Sequence, residues 1–258
     1  YTESAEDNRK GEKAIGGKEL PVFPYDLPEM SNAGKGASLI KSTPFGNSIL
    51  MEMAIAAIKG ESMGEDFITD FLAISFSSTD YVGHAYGPYS KEIEDTYIKL
   101  DADLAALFMY LDDKVGPYQY NVFLTADHAV AEIPLFLQEQ NYPVDYFSFK
   151  ELNVELEELL EKKFSKIGLI FKVSNEQIFL NKTLIKQSEL SDTEIKEMII
   201  DHMNSKYGIA AAYDSEFINS YSGTNQDILM LAAGYNIQRS GDILLTLNPG
   251  WLTEGNIG

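Results

Sequence analysis

Phe71-Leu-Ala-Ile-Ser-Phe-Ser-Ser-Thr-Asp-Tyr-Val-Gly-His84 is the stretch on which the reading of this chain turns. Its first six residues form a nearly continuous apolar run of strand length, the pattern expected of a strand covered on both faces. The run then breaks into a polar segment that carries Asp80 and His84, with Gly83 giving the backbone room to turn. A second stretch has the same grammar: the apolar run Asn121-Val-Phe-Leu-Thr125 leads directly into Ala126-Asp127-His128. The chain has only three histidines, and two of them fall here. Each stands beside a carboxylate at the carboxyl end of a predicted strand, where open α/β sheets place their ligands. Carboxylate and imidazole together suit zinc or manganese, so Asp80, His84, Asp127 and His128 read as the halves of a two-metal site. Taken singly, each motif has a plainer reading: Asp80 as a turn cap with His84 as a satisfied polar residue, and Asp127-His128 as an Asx-type loop turn. The pairing on neighbouring strands favours the metal.

Outward from these stretches, Ile93, Tyr97, Leu100, Leu104, Leu107, Phe108 and Leu111 recur at helical spacing, which predicts a helix over 91–113. Strand, helix and strand within about 60 residues make a βαβ unit, parallel and right-handed by default. Upstream, Ile49, Leu50, Met53, Ala54, Ala57 and Ile58 predict a helix ending near Gly60, with Asn47 or Ser48 as its cap. Residues 1–41 read as an irregular wrapping segment with one short strand near Leu20 to Phe23. Downstream, 148–235 reads as an α+β insertion, with helices over 149–163 and 192–206 and strands over 169–173, 177–180 and 209–212. The run Asp242-Ile-Leu-Leu-Thr-Leu247 then resumes a buried-strand pattern. The chain thus divides into a metal-site α/β core over 1–147, an insertion over 148–235 and a return to the core over 236–258. The fold class is α/β, a mostly parallel sheet flanked by helices.

Composition bounds the partners. With 258 residues, 45% of them hydrophobic, the chain can bury a sizeable core. A formal net charge of −20 repels nucleic acid and anionic membrane surfaces, although bound cations reverse the local sign and leave an anionic substrate open. The absence of cysteine excludes disulfides and thiolate metal sites. No run of about 18 apolar residues predicts a membrane span. Residues 1–18 lack a signal-peptide pattern, and no P-loop or dinucleotide fingerprint is present. His202 reads as a surface residue, and Thr43 and Thr79 as structural hydroxyls. Met51, Met53 and Met63 read as core filling, and Glu155 to Lys163 as a solvated helix face. Tyr81, Tyr86, Tyr89 and Tyr97 suit either a pocket mouth or packing.

Five segments occur in one order: Thr43-Pro-Phe-Gly-Asn47, Ser75-Phe-Ser-Ser-Thr-Asp-Tyr-Val-Gly-His84, Gly87-Pro-Tyr-Ser90, Thr125-Ala-Asp-His128 and Asn248-Pro-Gly-Trp251. Together they resemble the alkaline phosphatase superfamily, specifically the PafA-like phosphatases close to the type I phosphodiesterase and nucleotide pyrophosphatase group. The resemblance implies a phosphate monoesterase with two zinc ions about 4 Å apart that clamp a phosphoryl group. It assigns Asp80 and His84 to one zinc and Asp127 and His128 to the other. Ala129 stands where the family has glycine. The threonine nucleophile, a further aspartate, the phosphate-contacting Lys and Arg and the last zinc histidine are not matched, so the chain reads as an internal part of a longer enzyme, inactive alone. The implied substrate is a small phosphate ester and the implied location is extracytoplasmic. The alternatives are a phosphodiesterase or nucleotide pyrophosphatase with the same metal core, and a non-catalytic acidic interaction domain.

Overall fold

The computed structural model describes residues 7–15, 18–32 and 36–254. They divide into a first unit ending at Pro143 and a second beginning at Val144.

The first unit is helical where it is regular. A short helix α1 (Leu27–Met30) and a 3-10 segment (Gly36–Ser42) precede α2 (Phe45–Gly60), α3 (Ser78–Tyr86), α4 (Lys91–Lys114) and α5 (Pro134–Glu139). α2 and α3 both pack on α4. The α4 start is built from its sequence: the Ser90 hydroxyl accepts from the Ile93 N–H and donates to the Gly87 carbonyl, satisfying a first-turn donor that the helix itself leaves orphaned. Gly87 ends α3 at φ 83°, a left-handed conformation that disfavours a side chain. Val82 and Tyr86 of α3 and Ile93 of α4 form the buried cluster that joins these helices.

Several expectations change here. Asp80 and His84 lie on a helix rather than in a loop, and Gly83 is an ordinary helical residue within it. The reason is local: Ser77-Ser-Thr-Asp80 is a run of small polar and acidic residues suited to a helix N-terminus. α2 begins at Phe45, so Asn47 and Ser48 sit inside its first turn and neither caps it. The Leu20 to Phe23 segment is not a strand. Residues 71–76 and 121–125 form no ladder with any described segment. Their apolar side chains are largely exposed, Phe71 at 88% and Phe123 at 92%. An extended apolar run becomes a strand only when a neighbour takes its N–H and C=O groups, and no described segment does so. The βαβ unit is therefore not closed within these residues. Met53 is also exposed rather than core filling.

The second unit carries its own core. β2 (Ile170–Ser174), β3 (Gln177–Leu180), β4 (Ile209–Asp214) and β5 (Ile243–Leu247) form an antiparallel sheet in the order β2-β3-β5-β4. β1 (Tyr146–Phe147) and β6 (Leu252–Thr253) pair in parallel. Leu152, Leu156 and Leu160 of α6 (Phe149–Phe164) recur every fourth residue, as do Ile195, Ile199 and Met203 of α8 (Asp192–Asn204). Each set lines one helix face, and both sets join one buried cluster with Ile178, Ile243 and Leu245. Both helices begin with Ser-x-x-Glu, at Ser148 and Ser191, and each serine accepts from the N–H three residues on. A short helix α7 (Lys182–Gln187) follows β3.

β5 explains its own apolar run. Ile243 and Leu245 point into the α6 and α8 cluster, while Leu244 joins Ile218 and Ile228 of α9 (Ser215–Ser220) and α10 (Gln226–Gly234). Side chains alternate along a strand, so both faces are covered. The run read from sequence as a return to the core thus builds an inner strand of this antiparallel sheet. The acidic α6 face is only partly solvated. The Glu157 carboxylate accepts from the Gly168 and Ile170 N–H groups, and Glu155 pairs with Lys206 and, at 2.6 Å, with Nε2 of His202. His202 is accordingly a partnered, half-buried residue rather than a free surface one.

Candidate functional site

Asp80 is the third residue of α3, where the positive end of the helix dipole favours a carboxylate. His84 follows one turn later on the same face, with its Nε2 3.4 Å from Asp80 Oδ1. The second stretch brings His128 to the same oxygen from 48 residues further along the chain: His128 Nε2 lies 3.6 Å from Asp80 Oδ1 and 3.7 Å from Asp127 Oδ2. The structure therefore gathers all four residues singled out from sequence, with Asp80 at the centre.

The tautomers follow from the contacts. His128 Nδ1 stands 2.9 Å from the Ala129 carbonyl, which can only accept, so Nδ1 carries the proton. The neutral ring then has its lone pair on Nε2, turned toward Asp80. This hydrogen bond, with the Asp127 carboxylate second, raises the His128 pKa above its ordinary value. His84 Nδ1 is buried without a hydrogen-bond partner, a costly state for a polar atom.

The spacings bear on what the group can hold. Ring nitrogen to carboxylate distances of 3.4–3.7 Å exceed a good hydrogen bond. The His84–Asp80 and His128–Asp127 spacings of 3.4 and 3.7 Å are close to the edge of a tetrahedron about a cation with ligand bonds of 2.0–2.2 Å, about 3.3–3.6 Å. Two carboxylates and two imidazoles, one of them with an orphaned ring nitrogen, fit a divalent cation chemically. Among the described residues, however, no group of three or more such side chains closes around one point as a formed metal site.

Three threonine hydroxyls are engaged. Thr79 Oγ1 accepts from Asn47 Nδ2 at 3.0 Å, buried Thr43 donates to the Ile40 carbonyl, and exposed Thr125 donates to the Ala126 carbonyl. Lys41 holds its ammonium 4.6 Å above the ring of Tyr81, next to Asp80. Of the tyrosines near the first stretch, Tyr86 is buried, whereas Tyr89 and Tyr97 line a shallow cavity of about 440 Å³ with Arg9. Lys41 carries no sequence signal linking it to this site, its partner Tyr81 lying 40 residues away, and although Asn47 ends one of the five resemblance segments, nothing local reports its contact with Thr79 32 residues away.

Residues 36–258 match the family described as type I phosphodiesterase / nucleotide pyrophosphatase. The chain belongs to this family, and with it to the PafA-like alkaline phosphatase superfamily. Its relatives include alkaline phosphatase PafA of Elizabethkingia meningoseptica, 39% identical over 98% of this chain and 46% of that protein. A protein of Myroides odoratus named calcium-transporting ATPase is 36% identical over 100% of this chain and 47% of its own length. The crystal structure of wild-type PafA superimposes with a TM-score of 0.91 over 98% of this chain and 48% of the other, at 39% identity. The α/β fold class read from sequence is that of PafA. The chain spans about half the length of the relatives it matches.

Proposed function

We propose that this chain supplies metal ligands to a zinc-dependent phosphatase that hydrolyses phosphate monoesters outside the cytoplasm. The observation that carries the reading is Asp80 Oδ1, which faces the Nε2 atoms of both His84 and His128. Family membership and the likeness to PafA support the reaction class. In this reading Asp80 and His84 hold one cation, and Asp127 and His128 hold a second. Bound zinc would supply Lewis-acid stabilisation of the phosphoryl oxygens and a lowered pKa for the attacking group. The chain's own contribution is orientation: α3 fixes Asp80 and His84 one turn apart, and the Ala129 carbonyl fixes the His128 tautomer. In this reading the attacking threonine is not among these 258 residues, because the family motif that carries it is not matched here.

Zinc titration of the chain by calorimetry tests the ligand assignment, with His84→Ala and His128→Ala alongside. Each variant is expected to weaken binding at least tenfold. Binding indifferent to both histidines refutes the assignment. Metal-dependent hydrolysis of p-nitrophenyl phosphate by the chain alone, lost in Asp80→Ala and Asp127→Ala, refutes the placement of the nucleophile. A second reading, hydrolysis of phosphodiesters or nucleotide pyrophosphates, is favoured by the description of the matching family. Parallel assays of p-nitrophenyl phosphate and bis-p-nitrophenyl phosphate, run on any longer protein that carries this chain, separate the two.

A further inference from the structure

We propose that Asn47 is the positioning residue for the Asp80 and His84 pair, an inference that rests on the cation-holding role just assigned to them. Helix α3 does not cap itself: Ser77, its N-cap residue, makes no side-chain capping bond, yet the first N–H groups of a helix need acceptors. The acceptor comes from a different helix. Asn47, fully buried in the first turn of α2, places its side-chain oxygen 3.2 Å from the Ser78 N–H. Its Nδ2 donates to Thr79 Oγ1 at 3.0 Å. Two bonds to successive residues fix which end of the amide faces which. They also fix the α3 start in translation and rotation, immediately before Asp80.

The surrounding packing leaves no slack. A Cβ on Gly46 would stand 2.0 Å from Ser78 Oγ and 3.0 Å from the Ile40 carbonyl, so the start of α2 packs tightly against the Ser78 side chain of α3 and the backbone of the 3-10 segment. The Asn47 amide spans that junction. Both α3 donors to the site are aimed by this helix, with His84 one rigid turn beyond Asp80. A displacement of the α3 start therefore moves both ligands together, away from Asp127 and His128 on their separate segment. A buried asparagine is often only a satisfied core polar group. Here the two groups it satisfies are the residues that directly precede the central carboxylate.

The test uses the 258-residue chain, with cobalt(II) and zinc each competed against a chromophoric chelator. Variants are Asn47→Ala and the milder Thr79→Val, which keeps shape and removes only the hydroxyl acceptor. Outer-shell partners of metal ligands typically hold tenfold or more in affinity. Asn47→Ala is expected to weaken binding about tenfold and to change the visible spectrum of bound cobalt, and Thr79→Val to weaken it about threefold. Unchanged affinity and spectrum in folded Asn47→Ala, with only a lowered thermal midpoint, overturn the proposal and leave the metal reading standing. If Asn47→Ala does not fold, Thr79→Val decides: unchanged affinity overturns the proposal and a threefold loss supports it. Absence of metal binding by the unsubstituted chain overturns the metal reading and this proposal with it.

Discussion

Lys196→Met is expected to lower the unfolding temperature of the second unit by about 8–15 °C. Lys196 is a buried ammonium on α8, 4% exposed as a residue. It reaches Asp214 at 2.8 Å, Glu216 at 3.0 Å and Asp192 at 3.7 Å. Burial alone would push its pKa down, but the bonds to Asp214 and Glu216 win and raise it. The partners set the magnitude. Glu216 is 84% exposed and contributes only a few tenths of a kcal/mol. Asp192 keeps Lys182 at 2.6 Å when Lys196 is gone. Asp214 is the partner that matters, because it is less exposed and also caps α9 by accepting from the Glu216 N–H. Losing one good charge-assisted bond there, with small additions, costs about 2–3 kcal/mol. For a unit on the order of 110 residues that is roughly 8–15 °C.

Circular dichroism melts of the full chain measure this shift, with hydrogen exchange at Ser215–Ser220 reporting the α9 end of the network. A group whose folded pKa is raised stabilises fully below its unfolded value and loses that effect as pH climbs through the folded one. The gap between wild type and Lys196→Met should therefore be constant from pH 6 to 10 and narrow only beyond it. A shift under about 3 °C, or a gap that already closes below pH 9, would refute the argument.

Other expectations are read the same way. Burial outweighs the Arg9 N–H bond and, with help from Glu92 and Asp7, lifts Glu12 from 4.5 to about 7. Its contribution is complete below pH 4.5 and fades as pH rises through 7, so melts of the first unit should lose roughly 1–2 kcal/mol over that window after solvent screening. Glu12→Gln should flatten the profile, and parallel curves for the two proteins would count against it. Leu156→Ala, at a fully buried position of α6, should cost about 3–4 kcal/mol in urea unfolding; a cost below 1 kcal/mol would mean that α6 is not anchored there. Gly46→Ala should destabilise by about 1–3 kcal/mol through overpacking against Ser78. Adding Ser78→Ala should restore most of that loss, and failure of the double variant to recover would place the strain elsewhere.

Helices and the second sheet were legible from sequence because their signals are local. The seven apolar positions of α4, the fourfold leucine spacing of α6 and the Ser-x-x-Glu starts of α6 and α8 each lie within a few turns of chain. The four candidate site residues stand out in the sequence because rare histidines lie beside carboxylates after apolar runs. Contacts between distant segments do not. Asn47 reaches Ser78 and Thr79 across 31 and 32 residues, and His202 reaches Glu155 across 47, so no periodicity reports them. The apolar runs at 71–76 and 121–125 failed as strands for a related reason: a run records what a segment can bury, while a strand also needs a neighbour. β5 carries the same kind of run and has neighbours on both sides.

Those two runs also govern how the polypeptide behaves in a tube. Phe71, Val122, Phe123 and Leu124 are all at least half exposed, on backbone that joins no ladder with any described segment, a template for association between copies. A formal charge of −20 opposes that encounter at long range. In dilute buffer the repulsion extends about 30 Å, and at physiological salt about 8 Å. Dispersity is thereby tied to ionic strength: light scattering of one stock should report single molecules at 10 mM salt and growing particles at 500 mM. Lysine placed at Phe71 and Phe123 should remove the salt sensitivity.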